Sequence, residues 1–124
     1  MISNQREIFD KVAFAGSRNI TRSYSTSFSF GIRLLKKSMR DPICAIYGFV
    51  RYADEIVDTL HEFDKKTLLK RFRNDTDEAL REGISMNPVL HAFQLTYHRY
   101  GINYDLVDRF LVSMEMDLDQ KAYD

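Results

Sequence analysis

Apolar side chains recur along most of the chain at intervals of three and four residues, the spacing that places them on one face of an α-helix. Strict alternation of apolar and polar residues, which would indicate β-strands, is confined to short stretches such as residues 25–30. Five glycines and two prolines are few for a sheet protein with many tight turns. The pattern therefore predicts an all-α protein of five to six helices.

Capping and turn residues divide the first half of the chain. The first predicted helix covers roughly residues 3–21, and its candidate core positions are Ile8, Val12, Phe14, Ala15 and Ile20. The Ser/Thr-rich residues 21–29 are interpreted as a loop that leads into a short helix. The third helix is predicted to begin near Ser38 as N-cap and to run to about residue 61, with Pro42 in its first turn, where a missing N–H is tolerated.

Stop signals define three further helices. One spans about residues 64–81 and ends before Gly83. The dipeptide Asn87-Pro88 begins the next, which ends at Gly101. The last begins after Asn103 and still follows the helical pattern where the sequence stops. We therefore predict that residues 1–124 form a single α-helical domain or a fragment of one.

Composition and charge are those of an ordinary globular protein, with 44% hydrophobic and 29% charged residues. Eighteen basic and eighteen acidic residues cancel, so net charge gives no argument for binding nucleic acid. No apolar stretch has the length of a signal peptide or a membrane span, and the expected localisation is cytoplasmic. The basic face around Lys65, Lys66 and Lys70 is interpreted as solvated, with contact to a membrane surface as the alternative.

Cysteine and histidine offer no recognisable catalytic or metal-binding arrangement. Cys44 is the single cysteine, which excludes an intrachain disulfide, and its apolar surroundings predict a buried side chain. His61, His91 and His98 have no ligand spacing with one another, and we expect them at the surface or at helix ends.

Four polar residues of the third helix, Tyr47, Arg51, Asp54 and Asp58, follow one another at intervals of four, three and four, so they share one face. Most of the remaining circumference is apolar, and charged groups on a largely buried helix are costly unless something compensates them. Two interpretations are open. The face is either an ion-pair ladder between Arg51 and the two aspartates, or a site where the aspartates hold Mg²⁺ and Arg51 binds phosphate.

Three segments resemble the squalene/phytoene synthase family. Residues 45–58, AIYGFVRYADEIVD, resemble the first aspartate-rich motif of the family and the stretch that precedes it. Residues 24–28, YSTSF, followed by Leu34 and Leu35, resemble its Ser-x-Ser-Phe segment. Phe110 and residues 114–118, MEMDL, with Tyr123, resemble a later segment that carries Met-Asp-Leu. The three matches occur in the family's order and cover most of the chain.

The resemblance implies an isoprenoid-synthase-type helical fold and a Mg²⁺-dependent prenyltransferase that joins two allylic diphosphates, farnesyl or geranylgeranyl, head to head through a cyclopropyl intermediate, giving a squalene- or phytoene-type product. It implies that Asp54 and Asp58 hold Mg²⁺ and that Arg51 contacts the diphosphate. By the same resemblance, the hydroxyls of Ser25, Ser27 and Tyr47 lie near the diphosphate and Phe28 lines the region of the prenyl chain.

The sequence departs from the family pattern in three ways. The second aspartate-rich motif does not occur before Asp124, so we expect the N-terminal half of such an enzyme, inactive alone and exposing an apolar face through which it would self-associate. Tyr24 stands where several members have histidine, and Glu55 replaces a common second aspartate. The alternatives are a non-catalytic relative that serves as a helical binding or assembly module, and an unrelated helical interaction domain.

Overall fold

The structure, a computed structural model, describes residues 4–122 and is helical over most of them, with no strand in that range. Tyr123, part of one predicted motif, lies outside the described residues. The all-α prediction is confirmed, at the upper end of the expected number of helices. The six helices are α1 (Asn4–Tyr24), α2 (Thr26–Ile32), α3 (Lys37–Asp58), α4 (Lys65–Glu82), α5 (Pro88–Tyr100) and α6 (Tyr104–Ala122).

The local stop and start signals of the second half act as predicted. Gly83 and Gly101 follow α4 and α5 with φ of 73° and 62°, a left-handed conformation that ends a helix at little cost only for glycine. The Asn87 side chain accepts hydrogen bonds from the N–H groups of Val89 and Leu90 at the start of α5. These caps confirm the predicted boundaries of the two helices.

The Ser/Thr-rich residues 21–29 do not form the predicted loop. α1 continues to Tyr24, and the chain leaves helical conformation only at Ser25, with φ −149° and ψ 100°. The Ser25 hydroxyl then accepts the N–H of Phe28 at 3.1 Å and starts α2 at once. A single capping residue therefore does what the composition suggested a longer loop would do.

The start of α3 also differs from the prediction. The helix begins at Lys37, and its N-cap is Lys36, which makes no side-chain capping bond, so the predicted cap Ser38 lies inside the helix. Pro42 is consequently the sixth residue of the helix, in its second turn instead of its first, and its ring is buried.

Aromatic stacking around Phe49 joins four helices. Its ring lies 4.0 Å from that of Phe93 on α5 and 5.4 Å from that of Phe72 on α4, centroid to centroid. Phe110 on α6 approaches the same ring at 5.7 Å. Phe49 itself is 2% exposed, so this cluster is the centre of the hydrophobic core. Because the Phe49 side of α3 faces the core, the opposite side of the helix faces outward.

α1 presents a smaller and more polar face to the core than predicted. Ile20 is buried as expected and Phe14 is half-buried, but Ile8 and Val12 are 60% and 59% exposed and Ala15 is exposed as well. The buried residues of the helix are Ala13, Ser17, Ile20 and Thr21. Small side chains allow α1 to pack closely against α3 and α5, which the apolar spacing of α1 alone could not reveal.

The expectation of a peripheral role is wrong for His91, whose side chain is fully buried. Its Nε2 lies 2.6 Å from a carboxylate oxygen of Asp10 on α1, and its Nδ1 accepts the backbone N–H of Ser85 at 3.2 Å. The proton is therefore assigned to Nε2, which donates to Asp10. Cys44 is buried, as predicted, and burial raises the pKa of its thiol. Within residues 4–122, every helix is too short or too polar to span a bilayer.

Candidate functional site

The four residues identified by their helical spacing lie on the outward-facing part of α3, away from Phe49. Tyr47, Arg51 and Asp54 are partly buried, and Asp58, at the last turn of the helix, is exposed. Ala53, Ile56 and Val57 point into the core from the same two turns. Because its apolar side is occupied by packing, α3 has one polar face, and the two aspartates lie one helical turn apart on it.

Arg51 is the centre of an ion-pair network on this face. Its guanidinium donates to Asp54 at 3.0 Å and to Glu55 at 2.8 Å. The hydrogen bond to Glu55 raises the pKa of Arg51, and the bonds from Arg51 and then Thr59 lower the pKa of Glu55. Both groups are thus held in their charged forms. The ion-pair ladder considered from the sequence exists in this form, with Glu55 as a member that spacing alone did not identify.

Tyr24 covers this network from the end of α1. Its ring centroid lies 4.8 Å from Cζ of Arg51, a cation–π contact, and its hydroxyl lies beside the carboxylate of Glu55. Burial, followed by the negative charge of Glu55, raises the pKa of Tyr24. The two residues seen in the sequence only as departures from a family pattern are therefore in contact, and both hold Arg51. Their proximity depends on how α1 crosses α3, which no local sequence signal specifies.

Aromatic residues border the other end of the polar face. The rings of Phe28 and Tyr47 stack with 4.8 Å between centroids, and this stacking joins α2 to α3. Ser25 caps α2 through its oxygen, so its O–H remains available as a donor, and Ser27 is exposed in the first turn of α2. The structure therefore brings Phe28 to Tyr47, whereas the diphosphate contacts expected of Ser25 and Ser27 stay predictions.

The carboxylates of Asp54 and Asp58 could bind a divalent cation whose remaining ligands are phosphate oxygens. Among the described residues, no group of three or more His, Cys, Asp or Glu side chains could hold a metal by itself. Mg²⁺ is commonly held by one or two carboxylates with phosphate oxygens and water completing its shell, and Asp54 with Asp58 provide that number. In the described part of the chain, Nε of Arg51 is buried without a hydrogen-bond partner, so the guanidinium is not fully satisfied by Asp54 and Glu55.

An apolar cavity of about 390 Å³ opens beside this face, between α3 and α6. Val50, which lies between Tyr47 and Asp54 along α3, is part of its wall, as are Leu106 and Phe110 of α6. From the predicted MEMDL segment of α6, Leu118 is buried, Asp117 is partly buried and Met116 is 66% exposed. The segment thus contributes to packing, and the cavity is lined one to two turns earlier on α6.

Known proteins resemble this chain in sequence. A family model described as squalene/phytoene synthase matches residues 21–124. A presqualene diphosphate synthase from Zymomonas mobilis is 32% identical over 73 residues, which are 57% of this chain and 25% of that protein. A presqualene diphosphate synthase from Rhodopseudomonas palustris is 27% identical over 95 residues, 76% of this chain and 33% of that protein. The matched region therefore spans a quarter to a third of the length of these curated relatives.

Proposed function

Because the chain belongs to the squalene/phytoene synthase family, we propose that it is part of a Mg²⁺-dependent prenyltransferase that joins two allylic prenyl diphosphates head to head. The two relatives carry the name of presqualene diphosphate, a cyclopropyl diphosphate, which favours that type of condensation and farnesyl-type substrates. The substrates, the product and the whole enzyme's activity are parts of this proposal. The chain by itself is proposed to bind a prenyl diphosphate without completing the reaction.

The observation that carries the proposal is the pairing of Asp54 and Asp58 on the polar face of α3, with Arg51 between them and the stacked rings of Phe28 and Tyr47. The two aspartates would hold Mg²⁺, which would supply positive charge against a departing diphosphate. Arg51 would exchange its bond to Asp54 for a phosphate oxygen while keeping its bond to Glu55. That exchange would also release Asp54 for the cation. Binding of the diphosphate and binding of Mg²⁺ would therefore favour each other.

The surroundings of the polar face fit the remainder of such a substrate. A prenyl chain is a flexible hydrocarbon, and the cavity of about 390 Å³ between α3 and α6 has an apolar lining that begins at Val50. The stacked rings of Phe28 and Tyr47 border the same face and offer their π-electrons to positive charge that develops on an allylic carbon. The diphosphate would therefore contact the polar face of α3, and the prenyl chain would contact the apolar cavity beside it.

Titration with a non-hydrolysable farnesyl diphosphate analogue, with and without Mg²⁺, tests the proposal. The wild-type chain should bind the analogue at least about tenfold more tightly with Mg²⁺, a difference of ~1.4 kcal/mol. Asp54→Asn with Asp58→Asn should abolish the Mg²⁺ effect. Glu78→Gln with Glu82→Gln, another acidic pair four residues apart on an exposed helix face, is the matched control and should retain it.

Binding that ignores Mg²⁺, or that survives the loss of both aspartates, would contradict the site assignment. Absence of any binding while all variants remain helical would instead favour a non-catalytic relative that serves as a binding or assembly module.

A further inference from the structure

The C-terminal end of α2, the following turn and the first residues of α3 form an apolar corner at the surface. We call residues 30–40 the α2–α3 corner. Leu34 is 82% exposed and Phe30 is 67% exposed, and Leu35 and Met39 are exposed beside them. Single exposed apolar residues are ordinary, but four within ten positions form a contiguous candidate for contact with another apolar phase.

The corner is also basic and lies in a long stretch of the chain without acidic residues. No aspartate or glutamate occurs from Lys11 to Arg40, although acidic and basic residues are equal in number over the whole sequence. The cations of the corner and of the adjoining end of α1 are Arg22, Arg33, Lys36, Lys37 and Arg40. Exposed apolar side chains surrounded by cations are complementary to an anionic lipid bilayer, whose headgroups are negatively charged and whose interior is hydrocarbon.

A small cleft beside the corner has the chemistry of a phosphate contact. It has a volume of about 240 Å³ and is lined by Arg22 and Arg33, by the hydroxyl residues Thr26 and Ser29, and by Phe30. Neither arginine makes an ion pair within the described part of the chain. Two guanidinium groups and two hydroxyls can donate to one phosphate, while Phe30 extends past them into the apolar phase.

Hydrogen bonds hold the turn in this shape. The Arg40 guanidinium donates to the carbonyl oxygens of Arg33 at 3.0 Å and Leu35 at 3.2 Å. The N–H of Leu34 bonds to the carbonyl of Gly31 at 3.1 Å. Because the backbone is tied at both sides of Leu34, the exposed apolar group is presented by an ordered turn.

The basic face of α4 differs from the α2–α3 corner in the pairing of its cations and in its exposed apolar residues. Arg73 pairs with Asp108 and Lys66 lies 3.4 Å from Asp119, so acidic residues of α6 neutralise part of this face. Lys70 and Arg71 are exposed there without comparable apolar neighbours on the same turn. Charge and apolar exposure therefore coincide at the α2–α3 corner and not on α4, the face for which membrane contact was the alternative to a solvated one.

We propose that the α2–α3 corner is a docking surface for an anionic lipid bilayer, with Phe30 and Leu34 inserted among the acyl chains and a headgroup phosphate bound between Arg22 and Arg33. This surface uses neither Asp54 nor Asp58 and does not depend on the proposed function. Phe28, in the same short helix as Phe30, stacks on Tyr47, so a docked bilayer would lie next to the candidate site.

Co-sedimentation with vesicles tests the proposal. The 124-residue chain should bind phosphatidylcholine vesicles that contain phosphatidylglycerol and should bind pure phosphatidylcholine vesicles much more weakly. Each cation near an anionic surface contributes about a fivefold gain in affinity, so Arg22→Gln with Arg33→Gln should lose roughly twentyfold or more. Phe30→Ser with Leu34→Ser should lose a comparable factor on the same vesicles, because both apolar groups leave the bilayer.

The matched control is Lys70→Gln with Arg71→Gln, which removes the same charge from α4. Its affinity for the anionic vesicles should stay within about twofold of the wild-type value. Equal losses for the two charge pairs would overturn the proposal, since they would show only non-specific attraction. Preferential binding of a short DNA duplex over vesicles would overturn it as well. A wild-type dimer that becomes monomeric on Phe30→Ser with Leu34→Ser would show that a second copy covers the corner instead.

Discussion

The ring of Tyr24 lies over the guanidinium of Arg51, with 4.8 Å between its centroid and Cζ, while the Tyr24 hydroxyl lies beside the Glu55 carboxylate, which Arg51 binds. Three residues from two helices thus form a closed set of contacts. Each member limits the rotamers of the other two, so the guanidinium is held at the level of Asp54 before any ligand arrives.

The first prediction concerns the Tyr24 hydroxyl. In Tyr24→Phe, the ring over Arg51 remains and only the contact of the hydroxyl with Glu55 is lost. A double-mutant cycle with Glu55→Gln, measured by urea unfolding, should therefore give a coupling energy of about 0.5–1.5 kcal/mol. Tyr100→Phe, which alters another tyrosine whose ring lies near an arginine, should show no coupling to Glu55→Gln. Zero coupling between Tyr24 and Glu55 would contradict the closed set of contacts.

The second prediction is a dependence of stability on pH. The hydrogen bonds from Arg51 and Thr59 lower the pKa of Glu55 from its ordinary 4.5. As pH falls, the unfolded chain takes up the proton first, so stabilisation by Glu55 is complete above about pH 4.5 and is lost below it. The free energy of unfolding should therefore fall more steeply between pH 5 and pH 3 for the wild type than for Glu55→Gln, by up to ~1 kcal/mol because the pair is partly solvated.

The control for this pH series is Glu62→Gln, which changes an exposed carboxylate between α3 and α4. It should leave the slope of the wild type in place. A Glu55→Gln variant that follows the wild-type curve through the same interval would show that Glu55 gains nothing from Arg51.

In the second half of the chain, residues whose partners are close in sequence were predicted well, whereas the local signals at Ser25 and Ser38 were misread. Burial and contacts that depend on other helices were predicted less well. Gly83, Asn87 and Gly101 act through their own φ angles and adjacent N–H groups, so the boundaries they predict are confirmed. The exposure of Val12 and the burial of His91 depend on how α1 crosses its neighbouring helices, and no local sequence signal specifies that crossing.

The candidate site divides in the same way. Asp54 and Asp58 share a face because they are one turn apart, and helical geometry alone requires this once the helix is predicted. Tyr24 reaches Arg51 from a separate helix, and its role could only be found once both helices were placed. The stacking of Phe28 on Tyr47 is intermediate, since a family resemblance brought both to attention and the structure supplied the contact.

The third prediction concerns the buried bond between Asp10 and His91. In Asp10→Ala, the Nε2–H of a fully buried imidazole loses its acceptor at 2.6 Å, which should cost about 1–3 kcal/mol in the free energy of unfolding. In Asp10→Asn, the side-chain carbonyl still accepts that proton, so the loss should be smaller by about 1 kcal/mol or more. Chemical denaturation of both variants provides the measurement.

Asp10 also bonds to Arg6 at 3.2 Å, and that partly exposed pair needs its own control. Arg6→Gln should change stability by less than about 1 kcal/mol because exposed ion pairs contribute little. Equal destabilisation by Asp10→Ala and Arg6→Gln would locate the effect in the surface pair and contradict the importance assigned to His91.

The fourth prediction is that Gly48→Ala stabilises the protein. Gly48 lies within α3 with helical φ, and a Cβ added there would be 3.5 Å from Oγ of Ser17 on α1, an ordinary van der Waals contact. The close approach of α1 therefore does not require glycine, whereas glycine within a helix costs roughly 0.5–1 kcal/mol relative to alanine. Gly48→Ala should raise the free energy of unfolding by about that amount. Gly48→Val, with two further methyl groups directed at Ser17, should lower it, and a loss of stability in Gly48→Ala itself would mean that α1 and α3 approach more closely than the structure describes.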